Sequence, residues 1–302
     1  MPSWTDVQSE IHQSPSPYDR VRRTYLAEYS AYTGRNVIIY YSGWLEKAHL
    51  ADRLGVGLSV NDSDKNGFMS TVQGLDRSKG LDLFLHTPGG DIAATESLVD
   101  YLRSMFPDDI RVVVPQLAMS AGTMIALASQ QVIMGAHSSL GPIDPQFGGL
   151  PAHGIIEEFE TAKSEIAANA MTAHVWQHIL SKYHPTLIGE CYKAIQWSKT
   201  MVHEWLITGM FKSSPSKVSD ADRVLTELAD HALTLSHARH ISVARAKSLG
   251  INVLELESDQ RLQDLVLSVH HACATTLSET GAFKIIENQN GTAFISAMPE
   301  PR

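Results

Sequence analysis

Residues 81–134 read LDLFLHTPGGDIAATESLVDYLRSMFPDDIRVVVPQLAMSAGTMIALASQQVIM, and the order of patterns in this stretch decides the fold class. Leu81–Leu85 is apolar and of strand length. Thr87-Pro88-Gly89-Gly90 is a turn, and Ile92–Met105 repeats its apolar residues with the helical period. Ile110–Val114 is a second strand, Ala121–Ala128 a helix of small residues, and Val132–Met134 a third short strand. Strands alternating with helices imply βαβ units and a parallel sheet. Such sheets bind ligands at the carboxyl ends of their strands. Two turns lie there, Thr87–Gly90 and Met119-Ser120-Ala121-Gly122.

Outward from this stretch, Tyr18–Thr33 has a helical pattern with Arg20, Arg22 and Arg23 on its polar side, and Val37–Tyr41 is a buried strand. Residues 1–17 hold three prolines and predict a flexible arm; 18–302 then form the folded unit. Asn61–Gly67 is a polar loop that resembles a calcium loop, but Val72 stands where the closing Glu belongs. A Gly/Pro/Ser-rich connection, 136–153, precedes helices over Ile155–Tyr183, Pro185–Thr208 and Ala221–Leu235, with a polar loop at Lys212–Ser219. Asp259–Leu277 is a further helix. Lys284–Glu287 and Thr292–Ser296 flank a turn as a terminal hairpin.

With 43% apolar and 19% charged residues, the composition is that of a soluble globular protein. A net charge of −9 argues against nucleic acid as a partner, since binding it needs a cationic surface. The polar start lacks a secretory leader, and no apolar run reaches the roughly 20 residues that span a bilayer; both predict a cytoplasmic protein with no membrane span. Cys191 and Cys273 lack metal-site spacing and read as buried thiols, and the histidines are scattered, so neither metal nor cofactor is expected.

Ser120 is placed where a strand gives way to a helix that opens with Ala-Gly. Free N–H groups and the helix dipole favour negative charge there, which suits the oxyanion formed when a serine attacks a carbonyl. The same position is also a routine N-cap. The Gly89-Gly90 pair lets the backbone approach a ligand and aim N–H groups at it. Side by side, one turn offers the Gly90 N–H, and the other Ser120 with the N–H of Met119 or Ala121.

Leu85-His86-Thr87-Pro88-Gly89-Gly90-Asp91, Ala118-Met119-Ser120-Ala121-Gly122-Thr123 and Ser139-Leu140-Gly141-Pro142-Ile143-Asp144-Pro145-Gln146 together resemble the serine dehydrogenase proteinase family. That family belongs to the Clp protease/crotonase superfamily and is similar to signal peptide peptidase A. Tyr41-Ser42-Gly43-Trp44 and Lys284–Asn288 extend the likeness over residues 18 to 297. The resemblance implies an α/β ββα spiral of the Clp/crotonase kind with additional C-terminal helices, usually in ring-like homo-oligomers. It implies an ATP-independent serine peptidase acting on peptide or protein substrates, with Ser120 as nucleophile and the Gly90 and Ala121 amides as oxyanion hole, supported by Gly89. Signal peptide peptidases pair the serine with a downstream lysine, and Lys163 stands 43 residues after Ser120 on the expected apolar face of its helix. Clp proteases use a histidine instead; His137 is the nearest, and Asp144 would orient a neighbour. The rival readings are a crotonase-like thioester enzyme, in which the same turns polarise a carbonyl without a nucleophile, and a non-catalytic scaffold of the same fold. An oxidoreductase is disfavoured, since no GxGxxG occurs.

Overall fold

The apolar runs become neighbours in one seven-stranded sheet in the computed structural model, which describes residues 17–229 and 239–298. Helix α1 (Pro17–Thr33) leads into β1 (Asn36–Ser42), and α2 (Asp64–Val72) into β2 (Leu81–His86). Then follow α3 (Ile92–Met105), β3 (Ile110–Val114), the short β4 (Leu117–Ala118), α4 (Ala121–Leu127) and β5 (Gln131–Met134). Short strands β6 (Ser139–Leu140), β7 (Gln146–Phe147) and β8 (Leu150–Pro151) precede helices α5 (Ala152–Ala168), α6 (Ala173–Leu180), α7 (Leu187–Thr208) and α8 (Lys217–Ala229). Next come β9 (Ile241–Ser242), α9 (Val243–Ser248), β10 (Val253–Glu255), α10 (Gln260–Glu279) and the hairpin of β11 (Ala282–Asn288) and β12 (Ala293–Ala297).

The sheet order is β10-β5-β3-β2-β1-β11-β12. The first five strands are mutually parallel, and the terminal hairpin adds two antiparallel strands beside β1. Strands covered on both faces must be largely apolar, which is why Val37–Tyr41 of β1 and Val112–Val114 of β3 read as unbroken runs. Leu83, Leu85, Val112 and Val114 face a core shared with α3, α4, α7 and α8. Phe84, Val113, Ile39 and Tyr41 face a second core closed by α1 and α10.

Several expectations change. Asn61–Gly67 is only half loop: the Asp64 carboxylate is drawn inside by Lys284, the Tyr40 hydroxyl and the Asn61 amide, so α2 starts at Asp64. The helix expected over Ile155–Tyr183 is broken at Asn169, whose side chain accepts from the Met171 amide and begins a new turn. Helix α8 starts at Lys217, inside the polar loop expected over Lys212–Ser219. Arg22 is not on a polar face: it is fully buried, held by Glu287, Thr276 and Asp19. Residues 1–16 of the expected arm and 230–235 of the expected helix lie outside the described residues.

Candidate active site

The two turns singled out in the sequence are joined by backbone hydrogen bonds. The Thr87 amide donates to the Leu117 carbonyl at 3.1 Å, and the Met119 amide donates back to the Thr87 carbonyl at 3.0 Å. Gly122 allows this closeness, because a Cβ there would lie 2.6 Å from Thr87 Cγ2. Thr123 locks the helix start: its hydroxyl donates to the Ala118 carbonyl and accepts from the Gly141 amide, each at 2.8 Å. Gly89, at φ +103°, passes directly over the serine; a Cβ on it would lie 2.6 Å from Ser120 Cβ. Ser120 itself has φ 51° and ψ −115°, a left-handed conformation rare for a residue with a side chain. It precedes α4, and its hydroxyl caps nothing, so the N-cap reading does not describe it.

Gly90 sits on a rail. The Val60 amide donates to the Gly89 carbonyl at 2.8 Å, and the Asp91 amide donates to the Val60 carbonyl at 2.9 Å. In a parallel pairing of this kind the middle residue turns its own N–H to the opposite edge. A Cβ on Gly90 would lie 2.2 Å from the Val60 oxygen, so only glycine fits. Ala121 opens α4, and the first amide of a helix has no intrahelical acceptor. Asp91 caps α3, accepting from the Ala94 amide at 2.8 Å. Above these groups lies a cleft of about 670 Å³, walled by residues 88–93, Ser120, 145–147 and the α7 side chains Glu190, Lys193 and Trp197. The Ser120 side chain and the Gly89-Gly90 backbone thus share one cleft wall.

Lys163 is not placed as the dyad requires. Helix α5 buries Ala152, Ile155 and Ala162, and Lys163, one residue past that stripe, is 71% exposed. It pairs with Glu160 at 2.5 Å, and that contact raises its pKa, the reverse of what a base needs. Lys163 does not line the cleft; Lys193 does, paired with Glu190 at 2.9 Å. His137 is exposed on the turn after β5 and also lies off the cleft. Asp144 is buried directly before Pro145 on the cleft wall. The sequence reading missed Glu190, Lys193 and Trp197, whose spacing of three and four along α7 puts them on one helix face. It also missed Ser59 and Val60, which carry no chemical signature.

His86 turns away from the cleft into the second core. Its ring packs 4.4 Å from that of Trp44 and 5.5 Å from that of His270, while the Tyr41 hydroxyl meets His270 Nδ1 at 3.3 Å. Burial pushes His86 down to about 3, and burial with the neighbouring histidines pushes His270 well below the ordinary value. Both rings are therefore neutral when folded and take up protons on unfolding below about pH 6.5, so stability falls with falling pH. At about 1.4 kcal/mol per pH unit, His86 alone removes roughly 2–3 kcal/mol between about pH 6.5 and 4.5. Urea midpoints across that range should show the acid limb, and His86→Phe should flatten it; an unchanged slope would refute the assignment. Among the described residues no three His, Cys, Asp or Glu converge as metal ligands, and no helix is long and apolar enough to cross a membrane.

Two curated relatives, both uncharacterized proteins of Methanocaldococcus jannaschii, align with the chain over 196 residues at 31% and 27% identity. The alignments cover 65% of this chain and 60% and 59% of the relatives, so the chain spans about three fifths of their length. A family model described as ClpP-like SDH-type serine proteinase matches residues 56–266, a span that holds both turns, Ser120 and the cleft wall. The chain belongs to that family of ClpP-like serine proteinases.

Proposed function

We propose that the chain is a serine peptidase that works without ATP, on a ββα spiral of the Clp/crotonase kind, in a homo-oligomer whose substrates are peptides or unfolded proteins. The observation that carries this is Ser120, held at φ 51° with Gly89 directly over it, on the wall of a cleft that Gly90 also lines. Ser120 Oγ attacks the substrate carbonyl carbon as its proton passes to a base. The carbonyl π electrons move onto oxygen, and the Gly90 and Ala121 amides receive that charge. Collapse expels the amine, which takes the proton, and leaves an acyl-serine that water hydrolyses.

The base is assigned to Lys193 in place of Lys163. Lys193 lines the cleft and Lys163 does not; that alone separates them, since both are exposed and each pairs with a glutamate three residues earlier. Peptidase rates of Lys193→Ala and Lys163→Ala separate the two. Lys193→Ala is expected to lose on the order of 10²-fold or more and Lys163→Ala less than about threefold. The opposite pattern returns the role to Lys163.

A further inference from the structure

Lys284 was part of the tail that carried the family resemblance, and no catalytic role absorbs it. It is 1% exposed, on β11, the strand antiparallel to β1. Its Nζ donates to Asp64 Oδ1 at 2.7 Å and to the Ser59 carbonyl at 2.8 Å, and lies 5.5 Å from the centre of the Tyr40 ring. Asp64 is equally enclosed. Its second oxygen accepts from the Tyr40 hydroxyl at 2.8 Å and from the Asn61 amide at 3.0 Å. The two charges thus grip the segment Ser59-Val60-Asn61 from both ends, at the Ser59 carbonyl and the Asn61 amide. Between those grips lies Val60, whose amide and carbonyl are the rail on which Gly89, Gly90 and Asp91 hang.

A buried ion pair is a weak source of stability, because desolvation offsets its attraction; its better-attested use is to select one geometry. A salt bridge placed only to strengthen the core would not need to bond the backbone on both sides of Val60, the residue that holds the Gly89–Asp91 turn.

We propose that the Lys284–Asp64 pair is a positioning device for the oxyanion hole: it fixes Ser59-Val60-Asn61, which in turn fixes the direction of the Gly90 N–H. This rests on the peptidase reading above for its catalytic consequence, but the clamp can be read without turnover. Misdirecting a donor by about an ångström costs on the order of 10²-fold in rate, and the loss falls on the transition state, since a ground-state carbonyl draws little on the amides.

The test uses the full chain with Lys284→Met and the milder Asp64→Asn, which keeps the side-chain volume and one acceptor oxygen. Amide hydrogen exchange is followed at Val60 and Asp91, with the β3 amides as the internal standard for global stability, and kcat and KM are measured beside it. The expected result is exchange at Val60 and Asp91 accelerated about tenfold or more relative to β3. Turnover should fall on the order of 10²-fold in Lys284→Met and about tenfold in Asp64→Asn, with KM within threefold. Exchange that rises equally at β3, or does not rise at Val60 and Asp91, overturns the clamp. Faster local exchange with unchanged kcat overturns its catalytic consequence. Should the wild type show no Ser120-dependent hydrolysis, the peptidase reading is what fails, and exchange at Val60 and Asp91 still decides the clamp.

Discussion

Ser120→Ala is expected to lower peptide hydrolysis by about 10⁶-fold, the scale on which an activated nucleophile is lost, while leaving the fold intact. Alanine carries a Cβ and so meets the same backbone constraint at φ 51° that serine does, and removing a hydroxyl that caps no helix amide costs no internal hydrogen bond at the helix start. The wild type should be labelled on Ser120 by a fluorophosphonate, with the acyl-serine accumulating from a slow ester substrate; the variant should show neither. Retained turnover in Ser120→Ala would favour the thioester-type reading, in which the Gly90 and Ala121 amides polarise a carbonyl unaided. Absence of labelling in the wild type would favour a scaffold.

The largest expected loss of stability lies at the opposite side of the sheet. Glu287 on β11 accepts from Arg22 Nε at 2.5 Å and from Arg23 Nε at 2.6 Å, and both the Glu287 and Arg22 side chains are 0% exposed. This pair ties α1 to the antiparallel hairpin. Glu287→Ala would leave the Arg22 guanidinium buried with only Asp19 and Thr276 as partners. Breaking a buried pair from one side costs about 3–5 kcal/mol, since the remaining charge is desolvated without compensation. For a chain of this size that lowers Tm by roughly 10 °C. Arg22→Met added to Glu287→Ala should recover much of it, because the stranded cation is then gone. A urea unfolding difference below about 1 kcal/mol for the single variant would show that water reaches the site and the burial argument fails.

Arg22 also marks where sequence reading stopped. Apolar strands and the two glycine turns could be placed from the sequence because their signals are local: period, length and turn residues. The hairpin was legible too, but not its neighbour. Nothing local says that β11 lies antiparallel beside β1, nor that Arg22 faces Glu287, 265 residues away. An arginine next to two others reads as a solvated face until its partner is known. Lys163 shows the complementary error. Its helix has an apolar stripe, and a residue at the stripe's edge can be counted inside it; the further rotation of about 100° from Ala162 to Lys163 puts it in water instead. The two turns that hold Ser120 and Gly90 could be singled out because they need special backbone, and special backbone leaves glycine in the sequence. Lys193 sits on an ordinary helix, so its place on the cleft wall appears only when α7 is folded across the strand ends.

The dihedral angles of Ser120 bear on how this protein can change. Folding alone would select glycine at position 120, since a side chain at φ 51°, ψ −115° carries strain of order 1–3 kcal/mol that glycine relieves. A library of variants ranked by thermal tolerance would therefore drift toward glycine there and converge on a sturdier protein without the Ser120 hydroxyl. Serine stands at a position whose backbone favours glycine, and under the proposed function its hydroxyl is what that strain is kept for.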